Sequence, residues 1–271
     1  MGRATRLKLQ TNPDRVRQER RVAGIEFASV RYAVNAKGDA QRLLIRDVSL
    51  VLEAGTTTAL LGRSGSGKTT LLRMVNGLVM PTAGEVLVED KPTTLWETLT
   101  LRRSIGYVIQ ETGLFPHWTV ERNTGLALEL QGASRQEATQ RVMELLALAG
   151  LESGIAERYP WQLSGGQRQR VGLARALAAD PGILLMDEPF GALDPLTRAE
   201  MQSMLRDLLA RVRKTVLLVT HDLDEALFLA GRIIFLDRGE VVADHASGDV
   251  LGSENEHVQR YVAAVRRRSE P

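Results

Sequence analysis

The chain has 271 residues, of which 44% are hydrophobic, enough to build the core of one large domain or of one domain with an inserted subdomain. It contains no cysteine, which excludes a disulfide framework, a cysteine-based zinc site and thiol chemistry. The formal net charge is only +2, no apolar run approaches the length of a membrane-spanning helix, and the N-terminus lacks an apolar core of signal-peptide length. We therefore expect a globular protein that does not cross a membrane unaided.

Basic residues are concentrated at the two ends of the chain. Residues 1–23 contain seven arginines and lysines against two acidic residues, and Arg266–Arg268 lie close to the other end. Such segments are ordinarily solvated tails, although contact with anionic lipid or nucleic acid stays open. We expect residues 1–23 to be a basic arm, 24–245 to be the folded domain, and 246–271 to be a terminal helix with a basic tail.

The folded part opens with strands. Apolar and β-branched runs predict strands at Ile25–Val30, Leu43–Val51 and Thr57–Leu61, which we expect to form a small antiparallel layer. Two further strands are predicted at Gly84–Val88 and Ile105–Ile109.

The pattern then changes to the helical period. Apolar residues spaced for one helix face predict helices at Val120–Leu130 and Glu137–Ala149, so residues 111 to about 172 are expected to form a helical insert. Beyond the insert, short apolar strands alternate with helices, and this alternation predicts a parallel sheet covered on both faces. The predicted elements are strands Ile183–Met186, Thr215–Thr220, Ile233–Leu236 and Glu240–Ala243, and helices Pro195–Val212, Asp222–Ala230 and Asn255–Val265.

One motif dominates the chemistry. The strand Thr57–Leu61 is followed by a G-x-x-x-x-G-K-[ST] loop and then by a helical stretch, which is the order of a phosphate-binding loop. Its glycines let backbone N–H groups turn onto a phosphate chain, and the following helix adds its positive dipole end. We expect Lys68 to reach the β- and γ-phosphates and the Thr69 hydroxyl to ligate Mg²⁺. The nucleotide-contacting residues predicted here are Gly62, Arg63, Ser64, Gly65, Ser66, Gly67, Lys68, Thr69 and Thr70.

Two carboxylates end the buried strand that begins at Ile183. Because α/β sheets bind ligands at the carboxyl ends of their strands, Asp187 and Glu188 should face the same nucleotide as Lys68. Asp187 is expected to hold Mg²⁺ through a water molecule, and Glu188 to orient and deprotonate the attacking water.

A second anion site is predicted at another helix. The loop Leu163–Gly166 precedes a helix over Gln167–Ala179, so Ser164, Gly165, Gly166 and Gln167 would present amides at a helix N-terminus. The loop around Lys68 already surrounds its own phosphates, and the second site is therefore expected to act on the nucleotide of another copy.

With these motifs together, residues 24–245 resemble the ATP-binding subunit of an ABC transporter. The resemblance implies a P-loop NTPase core that is α/β with a mostly parallel sheet, a small antiparallel β layer on the N-terminal side and an inserted helical subdomain. It implies that Tyr32 stacks on adenine and that Gln110 joins Mg²⁺ to the interface with the membrane subunit. It also implies that Asp194 belongs to the loop that extends across the interface between two copies, and that His221 contacts the γ-phosphate.

The same resemblance implies the cofactors, partners and location. ATP and Mg²⁺ would be bound by two copies that clamp two nucleotides and drive membrane permease subunits, which in turn serve a substrate-binding protein. The chain would lie at the cytoplasmic face of the inner membrane as a peripheral subunit, with no nucleic acid as partner. A soluble, non-transport ABC ATPase is the less favoured alternative.

Three segments point to a subgroup of the family. Met186–Pro195, Tyr107–Gln110 and Gly113–His117 are similar to importers of osmoprotectants such as glycine betaine, carnitine or choline. Importers of amino acids, sulfonates or nitrate share much of the Phe190–Asp194 pattern. Gly191 stands where many relatives have serine, and Trp118 where such importers usually have methionine. Leu114, Phe115 and Trp118 are expected to form a docking surface, or else to fill the core of the insert.

Overall fold

The computed structural model describes residues 24–35 and 41–269, and the side chains of Asn35, Gln41 and residues 265–269 are outside the description. The predicted arm 1–23 therefore lies outside the described residues. The strands are β1 Ile25–Asn35, β2 Gln41–Leu52, β3 Thr57–Leu61, β4 Ala83–Val88, β5 Lys91–Pro92, β6 Ile105–Val108, β7 Ile183–Asp187, β8 Thr215–Thr220, β9 Arg232–Asp237 and β10 Glu240–Ala246. The helices are α1 Lys68–Val75, α2 Thr98–Ser104, α3 Val120–Leu130, α4 Arg135–Leu148, α5 Gly165–Leu177, α6 Pro195–Val212, α7 Leu223–Leu229 and α8 Glu256–Ser269.

The larger sheet has the order β10-β9-β3-β8-β7-β6, in which β10 pairs antiparallel with β9 and the other neighbours pair parallel. Strands β7 and β8 are buried along their whole length, because this sheet has helices or a second sheet against both faces. On one face, Leu60 and Leu185 pack with α1 and the smaller sheet. On the other face, Leu184 and Met186 pack with α5 and α6.

The smaller sheet has the order β2-β1-β4-β5 and is antiparallel. The prediction that the first three strands form one layer is wrong. Strand β3 lies between β8 and β9 in the parallel sheet, and β4 takes its place beside β1. The reason is burial, since four consecutive residues of β3 are buried, whereas an antiparallel strand with one wet face would alternate.

The insert is a helical layer of α3, α4 and the first part of α5, which share one apolar cluster. Helix α4 begins with a capping box between Ser134 and Glu137, and Thr119 caps α3. The predicted boundary near residue 172 falls inside α5, which continues to Leu177 and packs on β6. One helix therefore joins the insert to the larger sheet, and the loop Leu163–Gly166 lies at its start.

Helix α2 was not predicted from the sequence. The Glu97 side chain accepts hydrogen bonds from the backbone of Leu99 and Thr100 and so caps a helix of only seven residues. Within residues 24–35 and 41–269, none of the helices combines the length and apolar character that crossing a membrane requires.

Candidate functional site

The loop between β3 and α1 has the backbone that its glycines allow. Gly65 and Gly67 have φ angles of 77° and 107°, in the left-handed region that favours glycine. Gly62 is needed for a different reason, because a Cβ there would lie 2.3 Å from the carbonyl oxygen of Leu236. The loop is therefore pressed against the end of β9 while its amides line a cavity.

The side chain of Lys68 connects the end of this loop to its start. Its Nζ donates hydrogen bonds to the carbonyl oxygens of Gly62 at 2.8 Å and Arg63 at 3.0 Å, and the residue is only 4% exposed. Burial lowers the pKa of Lys68, and the negative charges of Glu188 and Asp187 oppose that shift. A cation is thus held against the loop where the negative charge of a phosphate chain would compensate its burial.

Thr69 and Asp187 meet across the sheet edge. The Thr69 hydroxyl donates to Asp187 Oδ1 at 2.8 Å, and the Tyr107 hydroxyl lies 3.4 Å from Asp187 Oδ2. A hydroxyl and a carboxylate in contact, beside a phosphate loop, are the oxygen ligands that Mg²⁺ takes together with substrate phosphates. The residues present therefore fit the ion that the sequence predicts.

Glu188 follows Asp187 in a left-handed conformation, with φ of 45°. Its backbone N–H donates to Val219 of β8 at 2.9 Å, which fixes the turn. His221 Nδ1 lies 3.3 Å from Glu188 Oε2, and Glu188 is largely covered while His221 is exposed. Such backbone strain at a non-glycine residue is typical of functional sites, and here it directs a carboxylate toward the phosphate loop.

These groups line one cavity of about 620 Å³. Its walls include the loop, Gln110, Glu188 and His221, so most residues predicted for the catalytic site come together. The lining residues are Leu44, Gly62, Arg63, Ser64, Gly65, Gly67, Lys68, Thr69, Thr70, Gln110, Glu188, His221 and Tyr261. Ser66 is buried behind the loop, and Asp187 lies beneath the cavity floor through its contact with Thr69.

Tyr32 does not line this cavity. It lies on β1 opposite Ile45 and packs, partly buried, against the core that contains α1. Its adenine-stacking role stays a prediction. Leu44 and Tyr261 do line the cavity, and sequence reasoning missed both because no motif marks either residue.

The second predicted anion site lies in a different cavity, of about 380 Å³. Ser164 caps α5 by accepting a hydrogen bond from the Gln167 N–H, and the Gln167 side chain accepts one from the Ser164 N–H. Gly166 packs so closely on α6 that a Cβ would lie 2.6 Å from Thr197 Cγ2. Ser164, Gly166 and Gln167 face this second cavity and not the cavity of Lys68.

Asp194 begins α6 next to that second cavity. Its Oδ1 accepts a hydrogen bond from the Thr197 N–H at 3.1 Å, and hydrogen bonds from Thr197 lower the pKa of Asp194. Gly191 stands just before it. A Cβ there would lie 3.6 Å from the Glu188 carbonyl oxygen and 4.0 Å from Gln110 Nε2, so the serine found in many relatives would fit without strain.

Glu225 is a buried carboxyl group within electrostatic reach of Glu188. It is 6% exposed, and its Oε1 has no hydrogen-bond partner among the described residues. Burial raises its pKa to about 8, with the charges of Asp222 and Glu188 adding to the shift and Thr220 and Arg198 opposing it. At neutral pH the group is therefore mostly protonated.

This raised pKa predicts a pH dependence of stability. Between its ordinary pKa of 4.5 and about 8, the unfolded chain has released the proton that the folded chain retains, so the free energy of unfolding falls as pH rises through this window. Glu225→Gln removes that exchange. At pH 8 we expect the free energy of unfolding of the variant to exceed that of wild type by a few kcal/mol at most, since one pKa unit is worth about 1.4 kcal/mol.

Urea unfolding at pH 5 and pH 8 measures this difference. Glu85→Gln, at an exposed position of β4, is the matched control and should leave the pH profile unchanged. An equal loss of stability between the two pH values in wild type and Glu225→Gln would contradict the assignment.

The geometry defines a class of protein: a P-loop NTPase with an inserted helical layer, in which α5 begins at a second cavity. Comparison with known families agrees. The model of the ABC transporter family matches residues 45–191, which is more than half of the chain. The chain belongs to the ABC transporter family and is an ATP-binding cassette of the ABC ATPase type.

Several individual proteins are similar to this chain. The glycine betaine uptake system ATP-binding protein YehX of Escherichia coli is 51% identical over 73% of the chain and 64% of its own length. The carnitine transport ATP-binding protein OpuCA of Listeria monocytogenes is 42% identical over 82% of the chain and 56% of its own length. The chain thus spans about half to two thirds of these relatives.

Solved structures show the same fold. A dimeric structure of the ATP-binding cassette MJ0796 in a post-hydrolysis state with ADP and Pi is 36% identical, with a TM-score of 0.75 over 82% of this chain and 98% of that one. A dimeric structure of the same cassette, described as a bacterial ABC transporter cassette, gives the same TM-score at 37% identity.

Proposed function

We propose that this chain binds and hydrolyses ATP with Mg²⁺ as the energising subunit of an ABC importer for osmoprotectants of the quaternary amine type. One observation carries the hydrolytic part: the phosphate loop, Gln110, Glu188 and His221 line a single cavity, with Asp187 in contact with Thr69. No other arrangement in the described residues brings a phosphate loop and a candidate base together.

Each residue has a distinct task in this proposal. Lys68 and the loop amides bind the β- and γ-phosphates, while Thr69, Asp187 and Gln110 would hold Mg²⁺, which neutralises phosphate charge when bound. Glu188 accepts a proton from the attacking water, and His221, 3.3 Å from its carboxylate, keeps that carboxylate directed at the γ-phosphate. The reaction is the transfer of a phosphoryl group to water.

Two copies are needed to complete the site. Ser164, Gly166 and Gln167 line a cavity at the start of α5 that is separate from the cavity of Lys68, and Gly165 lies between them in the chain. Within one chain these residues and Lys68 therefore do not share a nucleotide. We infer that they and Asp194 act on the nucleotide of a second copy. The dimeric structures of the similar cassette MJ0796 support this arrangement.

A complementation experiment tests the composite site. Gly165→Asp places a carboxylate where a phosphate would bind, and Lys68→Ala disables the phosphate loop. A mixture of the two chains forms heterodimers with one intact composite site, so we expect the mixture to hydrolyse ATP faster than either variant alone. If heterodimers form and hydrolysis stays at the level of the parents, the two loops do not act in trans.

The transported solute is inferred from the relatives, whose names specify glycine betaine, carnitine or choline. We infer that permease subunits dock on the segment after Gln110, at Phe115 and Trp118. Leu114, the third residue predicted for this surface, packs against the apolar cluster that the insert shares. Phe115 is 39% exposed and its ring lies 4.3 Å from that of Trp118, while Asn123 fixes the turn by hydrogen bonds to both ends. These rings form a rigid and partly open apolar surface.

Purification of the tagged chain from native membranes tests the transport proposal. Permease subunits should co-purify, and with their substrate-binding protein in liposomes they should accumulate labelled glycine betaine when ATP is inside. Lys68→Ala is the control for energisation. Uptake of an amino acid, a sulfonate or nitrate in place of quaternary amines would overturn the substrate class. A chain that acts in this way lies peripherally on the cytoplasmic face of the membrane.

A further inference from the structure

Helix α8 reaches the nucleotide cavity from the far end of the domain. Tyr261, on this helix, lines the cavity beside Arg63, Ser64 and Gly65 of the phosphate loop. It also lines a second cavity of about 230 Å³ on the outer side of the same loop residues. Tyr261 therefore lies next to the loop, where it borders both cavities.

The position of this ring is fixed by the core. Tyr261 packs edge-to-face on Phe235, with the ring centroids 5.6 Å apart and the planes at 62°, and Phe235 is fully buried. On the same helix, Val258 and Val262 are buried in the apolar cluster that contains Phe235. Asn255 joins the start of α8 to β10 by donating from Nδ2 to the Val242 carbonyl oxygen at 2.9 Å. The ring is thus part of a rigid element.

The hydroxyl of Tyr261 interacts electrostatically with two charged residues that line the second cavity. It is within electrostatic reach of Arg63 in the loop and of Asp237 at the end of β9. Burial raises the pKa of Tyr261, with Asp237 adding to the shift and Arg63 opposing it, so the hydroxyl keeps its proton at neutral pH. A protonated phenol can donate a hydrogen bond to an anion on the loop.

We propose that Tyr261 is a nucleotide-binding residue, whose hydroxyl donates a hydrogen bond to the phosphates held on the loop residues Arg63–Gly65. The loop amides are the phosphate-binding part of the motif. In the second cavity Tyr261 lies beside the loop residues 63–66, with none of the residues of α1 in the lining. This inference rests on the proposed function, because it requires a nucleotide in the cavity.

Tyr261→Phe tests the contact because it removes only the hydroxyl and keeps the ring on Phe235. We expect the variant to bind a non-hydrolysable ATP analogue about tenfold more weakly than wild type, the loss typical of a hydrogen bond to a charged group. Titration calorimetry on the full chain measures this with AMP-PNP and, in parallel, with GMP-PNP. A phosphate contact weakens both to the same degree.

Controls separate this contact from folding and from the proposed function. Tyr159→Phe, at a half-exposed tyrosine of the insert, should bind both analogues as wild type does, and thermal unfolding of Tyr261→Phe without nucleotide should match wild type. Wild-type affinity in Tyr261→Phe would overturn the proposal, and a loss for AMP-PNP alone would overturn the assignment to the phosphates. If wild type itself binds neither analogue, the proposed function fails instead.

Discussion

Lys68→Ala abolishes ATP hydrolysis and most ATP affinity. The variant removes the cation whose Nζ lies 2.8 Å and 3.0 Å from the Gly62 and Arg63 carbonyl oxygens and which faces the γ-phosphate in the proposed complex. Loss of a single preorganised group that stabilises transition-state charge costs roughly 10²- to 10³-fold in rate. Loss of loop closure adds to that cost, because both carbonyl oxygens lose their donor.

The thermal stability of Lys68→Ala should not fall in parallel with its activity. Burial lowers the pKa of Lys68, so replacing it removes a charge that costs free energy to bury in the absence of nucleotide. The two lost hydrogen bonds offset this gain, so we expect the thermal midpoint of the nucleotide-free variant to stay close to that of wild type, while its increase on adding ATP is lost.

A colorimetric phosphate assay and thermal scans with and without ATP make these measurements. Lys91→Ala, which removes an exposed lysine that lies over the Trp96 ring on the smaller sheet, is the matched control. Turnover in Lys68→Ala equal to that of wild type would refute the assignment of the phosphate loop.

Glu188→Gln keeps ATP binding and slows hydrolysis by roughly 10²- to 10⁴-fold, the usual contribution of a general base. The amide has the shape of the carboxylate, and the φ of 45° and the hydrogen bond from its N–H to Val219 are backbone properties that the change leaves in place. The expected signature is therefore a fall in kcat with little change in KM for ATP.

The same variant should accumulate the state that precedes hydrolysis. With ATP and Mg²⁺ at saturation we expect the mass of two chains by light scattering, and the mass of one chain when EDTA replaces Mg²⁺. Glu144→Gln, on the exposed face of α4, should turn over ATP as wild type does and show no trapped dimer. A single-chain mass for Glu188→Gln with ATP and Mg²⁺ would count against the two-copy mechanism.

The motifs of the candidate site could be predicted from the sequence because each motif consists of residues that are close together in the chain. A phosphate loop needs glycines at fixed spacing between a strand and a helix, and the two carboxylates must end a buried strand. Residues 62–70 and 187–188 meet these requirements within short contiguous segments, so both motifs are recognisable in the sequence. The capping pair Ser164 and Gln167 is local in the same sense and could be predicted as a helix start. The family follows from these motifs together.

The pairing of the strands and the distant residues that complete the site could not be predicted from the sequence, because both depend on tertiary contacts. Strand β3 belongs to the parallel sheet, where it lies between β8 and β9 and both its faces are buried. This burial depends on neighbouring elements and cannot be predicted from the five residues of β3. Tyr261 reaches the phosphate loop because α8 folds back onto β9 and β10, and Glu225 carries a raised pKa because the packing of α6, α7 and β8 excludes water from it. Burial and proximity arise from contacts between residues far apart in the chain, so no local pattern specifies them.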